Sequence, residues 1–250
     1  MKFTNERLVP SCYYNNRGLF FWHLSRYEFA KKYINKTDTV IDVACGTGYG
    51  SFELASFAHK VIGIDIDSET IEFAKGNFKS SNIDYIRGDC LYLTKLLNEK
   101  SDICVSFETI EHLKEEDQNN FLRQIRLTLQ SEGVLIISTP NKKLYNPRRN
   151  EEHNPFHLHE MELHEFKQIL EDHFEDVIIY GQKLFDGFKY KSVSFKAAHF
   201  LKSIKNFTLF DKFKQDQVYQ LNDFEFTSID IENCLYLVAI AKRPKLLSRQ

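Results

Sequence analysis

T-V-I-D-V-A-C-G-T-G-Y-G, Thr39 to Gly50, runs from an unbroken β-branched and apolar stretch into a turn with glycine at 46, 48 and 50. A strand that is apolar on both faces belongs in a parallel sheet covered by helices. Gly46 and Gly48 let the backbone turn tightly and come close to a ligand without interference from a Cβ. The turn alone serves dinucleotide binding and a purely structural role equally well. The next strand, K-V-I-G-I-D, decides between them: it closes on Asp65, about 20 residues on, where a carboxylate can accept both ribose hydroxyls of an adenosine.

The same alternation continues outward from this unit. T-V-I-D-V-A (Thr39 to Ala44), K-V-I-G-I-D (Lys60 to Asp65), I-D-Y-I-R-G (Ile83 to Gly88), D-I-C-V-S-F (Asp102 to Phe107) and V-L-I-I-S-T (Val134 to Thr139) read as five strands. Between and after them, Ile71, Ala74 and Phe78, then Leu122, Ile125 and Leu129, then Leu163, Phe166 and Leu170 recur at helical spacing. D-V-I-I-Y-G (Asp176 to Gly181) is a sixth strand, and C-L-Y-L-V-A-I-A-K-R (Cys234 to Arg243) a last one, expected to be antiparallel at or near the sheet edge. Alternating strands and helices of this kind predict an α/β fold in one domain spanning residues 1–250. Residues 1–37 are expected to form a helical cover, with His23, Tyr27, Ala30 and Ile34 on one stripe. Residues 183–233 are expected to form an inserted cap before the last strand, with Val193, Ala197, Phe200, Leu201 and Ile204 on one helical face.

Composition narrows the partners. A formal net charge of −2 at pH 7 gives no global basic footprint and so disfavours a nucleic-acid partner. Locally, Lys183 to Lys214 sets eight lysines against two aspartates among aromatic residues. Such a patch suits a phosphate-bearing acceptor or an anionic membrane surface, or is simply the wet side of a cap. The five cysteines are scattered, without metal-site or disulfide spacing, and fit a reducing cytoplasm. No apolar run reaches the roughly 18 residues of a transmembrane helix, and the N-terminus lacks the pattern of a signal peptide.

Five segments, D-V-A-C-G-T-G, V-I-G-I-D, R-G-D-C, S-F-E-T-I-E-H and G-V-L-I-I-S-T-P-N, resemble in order and spacing the motif series of class I S-adenosylmethionine-dependent methyltransferases. The resemblance covers about Thr39 to Gln182. It implies a Rossmann-like seven-stranded sheet with the last strand antiparallel, helices on both faces, and S-adenosylmethionine over the carboxyl ends of the early strands. The implied cofactor site comprises Asp42, Ala44, Cys45, Gly46, Thr47 and Gly48 of the turn, Asp65 and Ile66 at the ribose, Asp89 and Cys90 at the adenine, and Phe107 and Glu108. Ala44 stands where the family usually has glycine. From the residues alone, Asp42 also reads as a strand-end turn acid, Asp89 as a helix cap, and Cys45 and Cys90 as small buried fillers. E-R-L-V-P, H-L-S-R-Y-E-F-A, N-P-F-H-L-H-E and Y-G-Q look like a bacterial-type subgroup associated with surface glycans. That likeness implies O-methylation of a sugar hydroxyl of a glycan or nucleotide-sugar precursor, with His23, Arg26 and Tyr27 over the acceptor cleft. The alternative acceptors are a phenol, a quinone precursor or an RNA 3′ end.

Removal of a proton from an alcohol at neutral pH needs a base or a metal ion. Glu111 and His112, just past the fourth strand, are the catalytic candidates. If the chain turns helically there, Glu108, Glu111 and His112 share a face at i, i+3 and i+4. The pattern is similar to the E-x-x-E-H site of small-RNA 2′-O-methyltransferases and ubiquinone-pathway O-methyltransferases. That likeness implies Mg²⁺ or Mn²⁺ on Glu108, Glu111, His112 and His157; a metal-free reading leaves His112 as the general base.

Overall fold

The computed structural model describes residues 17–148, 154–184 and 224–245. Helix α1 (Arg17–Ala30) leads through a 3₁₀ turn to β1 (Thr39–Val43), and α2 (Tyr49–Ala55), β2 (Lys60–Asp65), α3 (Ser68–Asn77), β3 (Ile83–Arg87) and α4 (Leu93–Leu96) follow. After β4 (Ser101–Phe107) come α5 (Glu115–Thr128), β5 (Leu129–Pro140), α6 (Lys142–Arg148), α7 (Leu163–His173), β6 (Phe174–Leu184), β7 (Phe224–Thr227) and β8 (Tyr236–Pro244). The strands form one sheet in the order β3-β2-β1-β4-β5-β8-β6-β7. β1 to β5 are mutually parallel; β8 runs antiparallel to β5 on one side and to β6 on the other.

One expectation is corrected. The sheet has eight strands rather than seven, because Phe224–Thr227, inside the tract expected to be a cap, pairs antiparallel with β6. The last strand, β8, is antiparallel as expected and lies near the edge, with β6 and β7 outside it. Val238, Ala239 and Ala241 are fully buried, and a strand apolar on both faces loses that burial unless it has sheet neighbours on both sides. The rest of the proposed cap from residue 185 to 223, including the Val193–Ile204 stripe and most of the lysine-rich patch, lies outside the described residues. So does E-R-L-V-P near the N-terminus.

Alternation along the strands divides the core between the two faces. Val40, Val61, Val105 and Ile240 meet α1, α2 and α3 through Phe20, Leu24, Tyr27, Leu54, Ile71 and Ala74. Ile41, Ile64, Leu135 and Leu237 meet α5 and α7 through Phe121, Leu122, Ile125, Phe166 and Leu170. α1 ends one turn earlier than its stripe suggested, with Ile34 beyond the 3₁₀ turn yet still buried. It packs tightly on α2 because Gly50 has no side chain; a Cβ there would run into the Tyr27 ring. Among the described residues, no helix is long and apolar enough to cross a membrane.

Candidate active site

The glycine turn joins β1 to α2 in an unusual backbone conformation. Ala44 (φ 61°), Gly46 (φ 55°) and Gly48 (φ 84°) all lie in the left-handed region. That is the physical reason glycine suits position 44, and alanine there carries a strain of roughly 1–2 kcal/mol. The three positions differ in what their missing or small side chains allow. A Cβ on Gly46 would meet nothing within 4 Å, so this face of the turn opens onto the strand ends; one on Gly48 would strike Ala74 and Tyr85. Gly48 is therefore a packing glycine, and Gly46 is the one that leaves room for a ligand. Cys45 and Thr47 point into the protein. Burial pushes the Cys45 thiol well above its ordinary range, which makes it a filler rather than a nucleophile.

Asp65, at the end of β2, is buried under the turn. Its Oδ2 accepts the Gly46 amide and its Oδ1 the Asp67 amide, each at 3.0 Å. The carboxylate thus faces the turn at the height where Gly46 opens, with Ile66 next to it more than half exposed. Asp89 caps the 3₁₀ turn Cys90–Tyr92 by accepting the Leu91 amide at 2.9 Å. Both Asp89 and Cys90 are partly exposed at the same end of the sheet.

Asp42 is fully buried below the turn and accepts from Ser51 Oγ at 2.6 Å and from the Tyr27 hydroxyl at 3.3 Å. Burial lifts its carboxyl to about 7, outweighing these two hydrogen bonds, and nearby Asp65 raises it further. A carboxyl that holds its proton more tightly folded than unfolded adds stability below about pH 4 that is lost as pH rises through about 7. Asp42→Asn, which keeps one oxygen for Ser51 and Tyr27, is expected to remove that loss. Thermal melts should show the variant above wild type at about pH 8 and the two converging near pH 4. Parallel curves across that range would show that Asp42 is not held neutral by burial.

A second set of side chains gathers beyond β4. Phe107, the last residue of the strand, is buried against Tyr27, ring centroids 4.9 Å apart. Glu108 then takes a left-handed conformation (φ 52°), and a 3₁₀ turn follows only at Ile110–His112. The helical i, i+3, i+4 face therefore does not form. Glu108 turns away, accepting Ser138 Oγ at 2.7 Å and lying 3.4 Å from Arg26 Nη1.

His157 takes up the place beside Glu111 and His112 instead, and the ligand atoms of these three all lie within 4.8 Å of one another. The two imidazoles meet edge to face at 4.9 Å, and Tyr145 stacks on His157. Glu111 is fully buried. Thr139 Oγ1 donates to its Oε2 at 3.1 Å, while its Oε1 has no hydrogen-bond partner among the described residues. Burial first, and then the charge of Glu108, push its carboxyl well above the ordinary range.

The loop that delivers His157 is pinned to this turn by its backbone. The amides of Leu158 and His159 donate to the Glu111 carbonyl, and Gln118 Nε2 bridges the carbonyls of Ile110 and His159. The ring positions are set too. His112 Nδ1 lies 2.9 Å from the Phe156 carbonyl, and His157 Nδ1 lies 2.5 Å from Glu160 Oε1. A carbonyl only accepts, so the proton of neutral His112 sits on Nδ1 and its lone pair on Nε2; a carboxylate at Glu160 places the His157 proton likewise. Thr139, Gln118 and Glu160 carry no signal at the level of single residues, although Glu160 lies within N-P-F-H-L-H-E.

These features converge where β1 leads off to one side of the sheet and β4 to the other. In parallel α/β sheets this switch point is the ligand-binding crevice. A methyltransferase-domain family profile matches residues 34–173, more than half of the chain. A probable S-adenosylmethionine-dependent methyltransferase of Mycolicibacterium smegmatis is 30% identical over 214 residues, 82% of this chain and 81% of that one. The chain belongs to the class I S-adenosylmethionine-dependent methyltransferases. A similarly described Mycobacterium tuberculosis methyltransferase is 28% identical over 254 residues, covering 96% and 89% of the two chains. The crystal structure of an Archaeoglobus fulgidus S-adenosylmethionine-dependent methyltransferase matches with a TM-score of 0.58 over 91% of this chain and 94% of that one, at 22% identity. That likeness speaks for the fold. At this end of the sheet the chain carries two groups of side chains, an acid-lined glycine turn and a Glu-His-His cluster.

Proposed function

We propose that this methyltransferase O-methylates a hydroxyl of a sugar or glycan precursor in the reducing cytoplasm, with Glu111, His112 and His157 activating the acceptor. The observation that carries the acceptor chemistry is the orphaned Oε1 of Glu111, buried beside two imidazoles whose Nδ1 atoms are each engaged by an oxygen. A buried carboxylate oxygen with no donor is costly unless a cation or a proton compensates it. The set fits a divalent ion held by Glu111, His112 and His157. One carboxylate with two imidazoles suits Mn²⁺ better than the all-oxygen preference of Mg²⁺. When bound there, such an ion lowers the pKa of an adjacent acceptor hydroxyl. The second reading, a metal-free base, rests on the Nε2 lone pair of His112, which takes the acceptor proton directly.

On the cofactor side, Asp65 accepts the ribose hydroxyls, the open face of Gly46 with Ala44 admits the methionine portion, and Ile66, Asp89 and Cys90 border the adenine. Asp42 supports the turn from below rather than touching the ligand. Bound S-adenosylmethionine supplies an electrophilic methyl group on a sulfonium. The chain's own residues would hold the acceptor oxygen in line with it and remove the hydroxyl proton as the new C–O bond forms and the methyl–sulfur bond breaks, its electron pair leaving with the thioether S-adenosylhomocysteine. The sugar class is supported by H-L-S-R-Y-E-F-A, N-P-F-H-L-H-E and Y-G-Q, which the fold brings to the same end of the sheet.

The test is incubation of the protein with methyl-labelled S-adenosylmethionine and a cell extract, with and without exhaustive chelation. Label is expected in carbohydrate material that resists alkali and nucleases, to be lost on chelation and to return with Mn²⁺. Label in nuclease-sensitive material would assign the acceptor to RNA. Full activity after chelation would leave His112 as the base.

A further inference from the structure

Tyr236 opens β8 at the same end of the sheet as the glycine turn and the Glu-His-His cluster, paired with Pro140 of β5 on one side and Gln182 of β6 on the other. Pro140 directly follows Thr139, the residue that donates to Glu111. The Tyr236 ring is boxed in. The Arg26 guanidinium carbon lies 4.3 Å from its centroid, the Trp22 ring 5.2 Å and the Tyr145 ring 6.2 Å away. Tyr145 stacks in turn on His157, with 5.4 Å between centroids. The phenol is thus held in a fixed position, joined ring by ring to the cluster.

The hydroxyl at its tip is not used by the fold. It makes no hydrogen bond among the described residues, and unlike the outer nitrogens of Arg26 it is not sealed from solvent, although the residue as a whole is only 5% exposed. A tyrosine buried to this degree ordinarily engages its hydroxyl with a partner. Charges from both sides act on it. Burial first, and then the Glu108 carboxylate, raise it well above the ordinary tyrosine range; Arg26 opposes them, and Tyr145 and Glu111 add to the rise. It therefore stays a neutral phenol, able to donate.

The chemistry of transfer says which oxygen such a donor can serve. The oxygen that takes the methyl group must keep a lone pair for the methyl carbon while its proton leaves towards the Glu-His-His cluster. A donor on that oxygen would compete for the lone pair. Another oxygen of the acceptor carries no such demand and can accept. We propose that the Tyr236 hydroxyl binds the acceptor, donating to an oxygen beside the one that is methylated, and so fixes the approach of the reacting hydroxyl to the cofactor. The proposal rests on the acceptor lying at Glu111, His112 and His157, and on neither the sugar class nor a metal ion. It makes Tyr236 an acceptor-binding residue supplied by β8, outside every segment of the methyltransferase motif series.

The experiment compares wild type with Tyr236→Phe, which removes one oxygen and keeps the ring. Methyl-labelled S-adenosylmethionine is held at saturation, and the cell-extract fraction that takes up label is added over a dilution series. S-adenosylhomocysteine titration reads the cofactor site, and thermal melting reads the fold. Transfer at limiting acceptor is expected to fall about 10–100-fold, from a lost hydrogen bond together with a loosened approach of the reacting oxygen. Affinity for S-adenosylhomocysteine should stay within about twofold. The melting temperature should be equal or higher, because no hydrogen bond within the folded protein is lost. Equal transfer by the two proteins overturns the proposal. So does a fall in transfer matched by a fall in cofactor affinity or by a lower melting temperature, which would assign the hydroxyl to the cofactor or to the fold. Wild type that binds S-adenosylhomocysteine yet labels nothing counts against the acceptor site and this inference together, a result distinct from an active wild type with an equally active variant.

Discussion

Replacing Glu111 by glutamine or His157 by alanine is expected to lower kcat by about 10²–10⁴-fold, the range set by loss of acid–base or metal assistance at an acceptor hydroxyl. S-adenosylmethionine affinity should change little, because the ligand atoms of Glu111, His112 and His157 gather within 4.8 Å of one another and none of the three belongs to the glycine turn or to the Asp65 site. Glu111→Gln separates chemistry from stability. The amide keeps an oxygen for Thr139 Oγ1 and removes the penalty of a charge that burial already opposes, so the variant should melt at or above the wild-type temperature while turning over slowly. Glu160→Gln probes the same centre at one remove. It leaves His157 in place but replaces the carboxylate that orients its Nδ1, and an effect of about 10–100-fold on activity or metal affinity is expected. Single-turnover rates with labelled cofactor read all three variants. A Glu111→Gln enzyme with the wild-type rate would remove the cluster from the chemistry.

Asp65→Ala is expected to weaken S-adenosylmethionine binding by about 10²–10⁴-fold, since two hydrogen bonds to a charged acceptor are lost at roughly 1.5–3 kcal/mol each. The same carboxylate also receives the Gly46 and Asp67 amides, so its removal frees the turn as well as the ribose. Asp65→Asn separates the two roles. It preserves the size of the side chain and one accepting oxygen, and affinity should fall less than in the alanine variant. Calorimetric titration is the measurement, with the melting temperature as control; unchanged affinity in a folded Asp65→Ala protein would take the ribose away from Asp65.

The parallel half of the sheet was legible because each strand there is local information: a buried β-branched run, a turn and a helix of matching period. Lys60–Asp65 falls where the sequence places it, and the two acids at strand ends, Asp42 and Asp65, are marked by position alone. Their different environments are not. Whether a strand-end carboxylate faces a ligand or is enclosed by Ser51 of α2 and Tyr27 of α1 depends on how those two helices pack, and the sequence places α1 only as a cover. Likewise β7 is too short and too ordinary in composition to announce itself, and becomes a strand only because β6 offers an unpaired edge.

The residues of the Glu-His-His cluster are all visible in the sequence, but their partners are not. E-T-I-E-H alone suggests a helical face that includes Glu108. The left-handed backbone at Glu108 breaks that face and sends the carboxylate to Arg26 and Ser138, and a loop more than 40 residues further on brings His157 in its place. What the sequence determined by itself is the chain of local propensities and the chemical inventory: an α/β sheet, a glycine turn and strand-end acids. What only the tertiary structure decided is which of those groups are neighbours and which are buried. Contact across the ends of a sheet joins residues that share no local period, and burial, which sets the charge state of Asp42 and Glu111, is a property of everything packed around them.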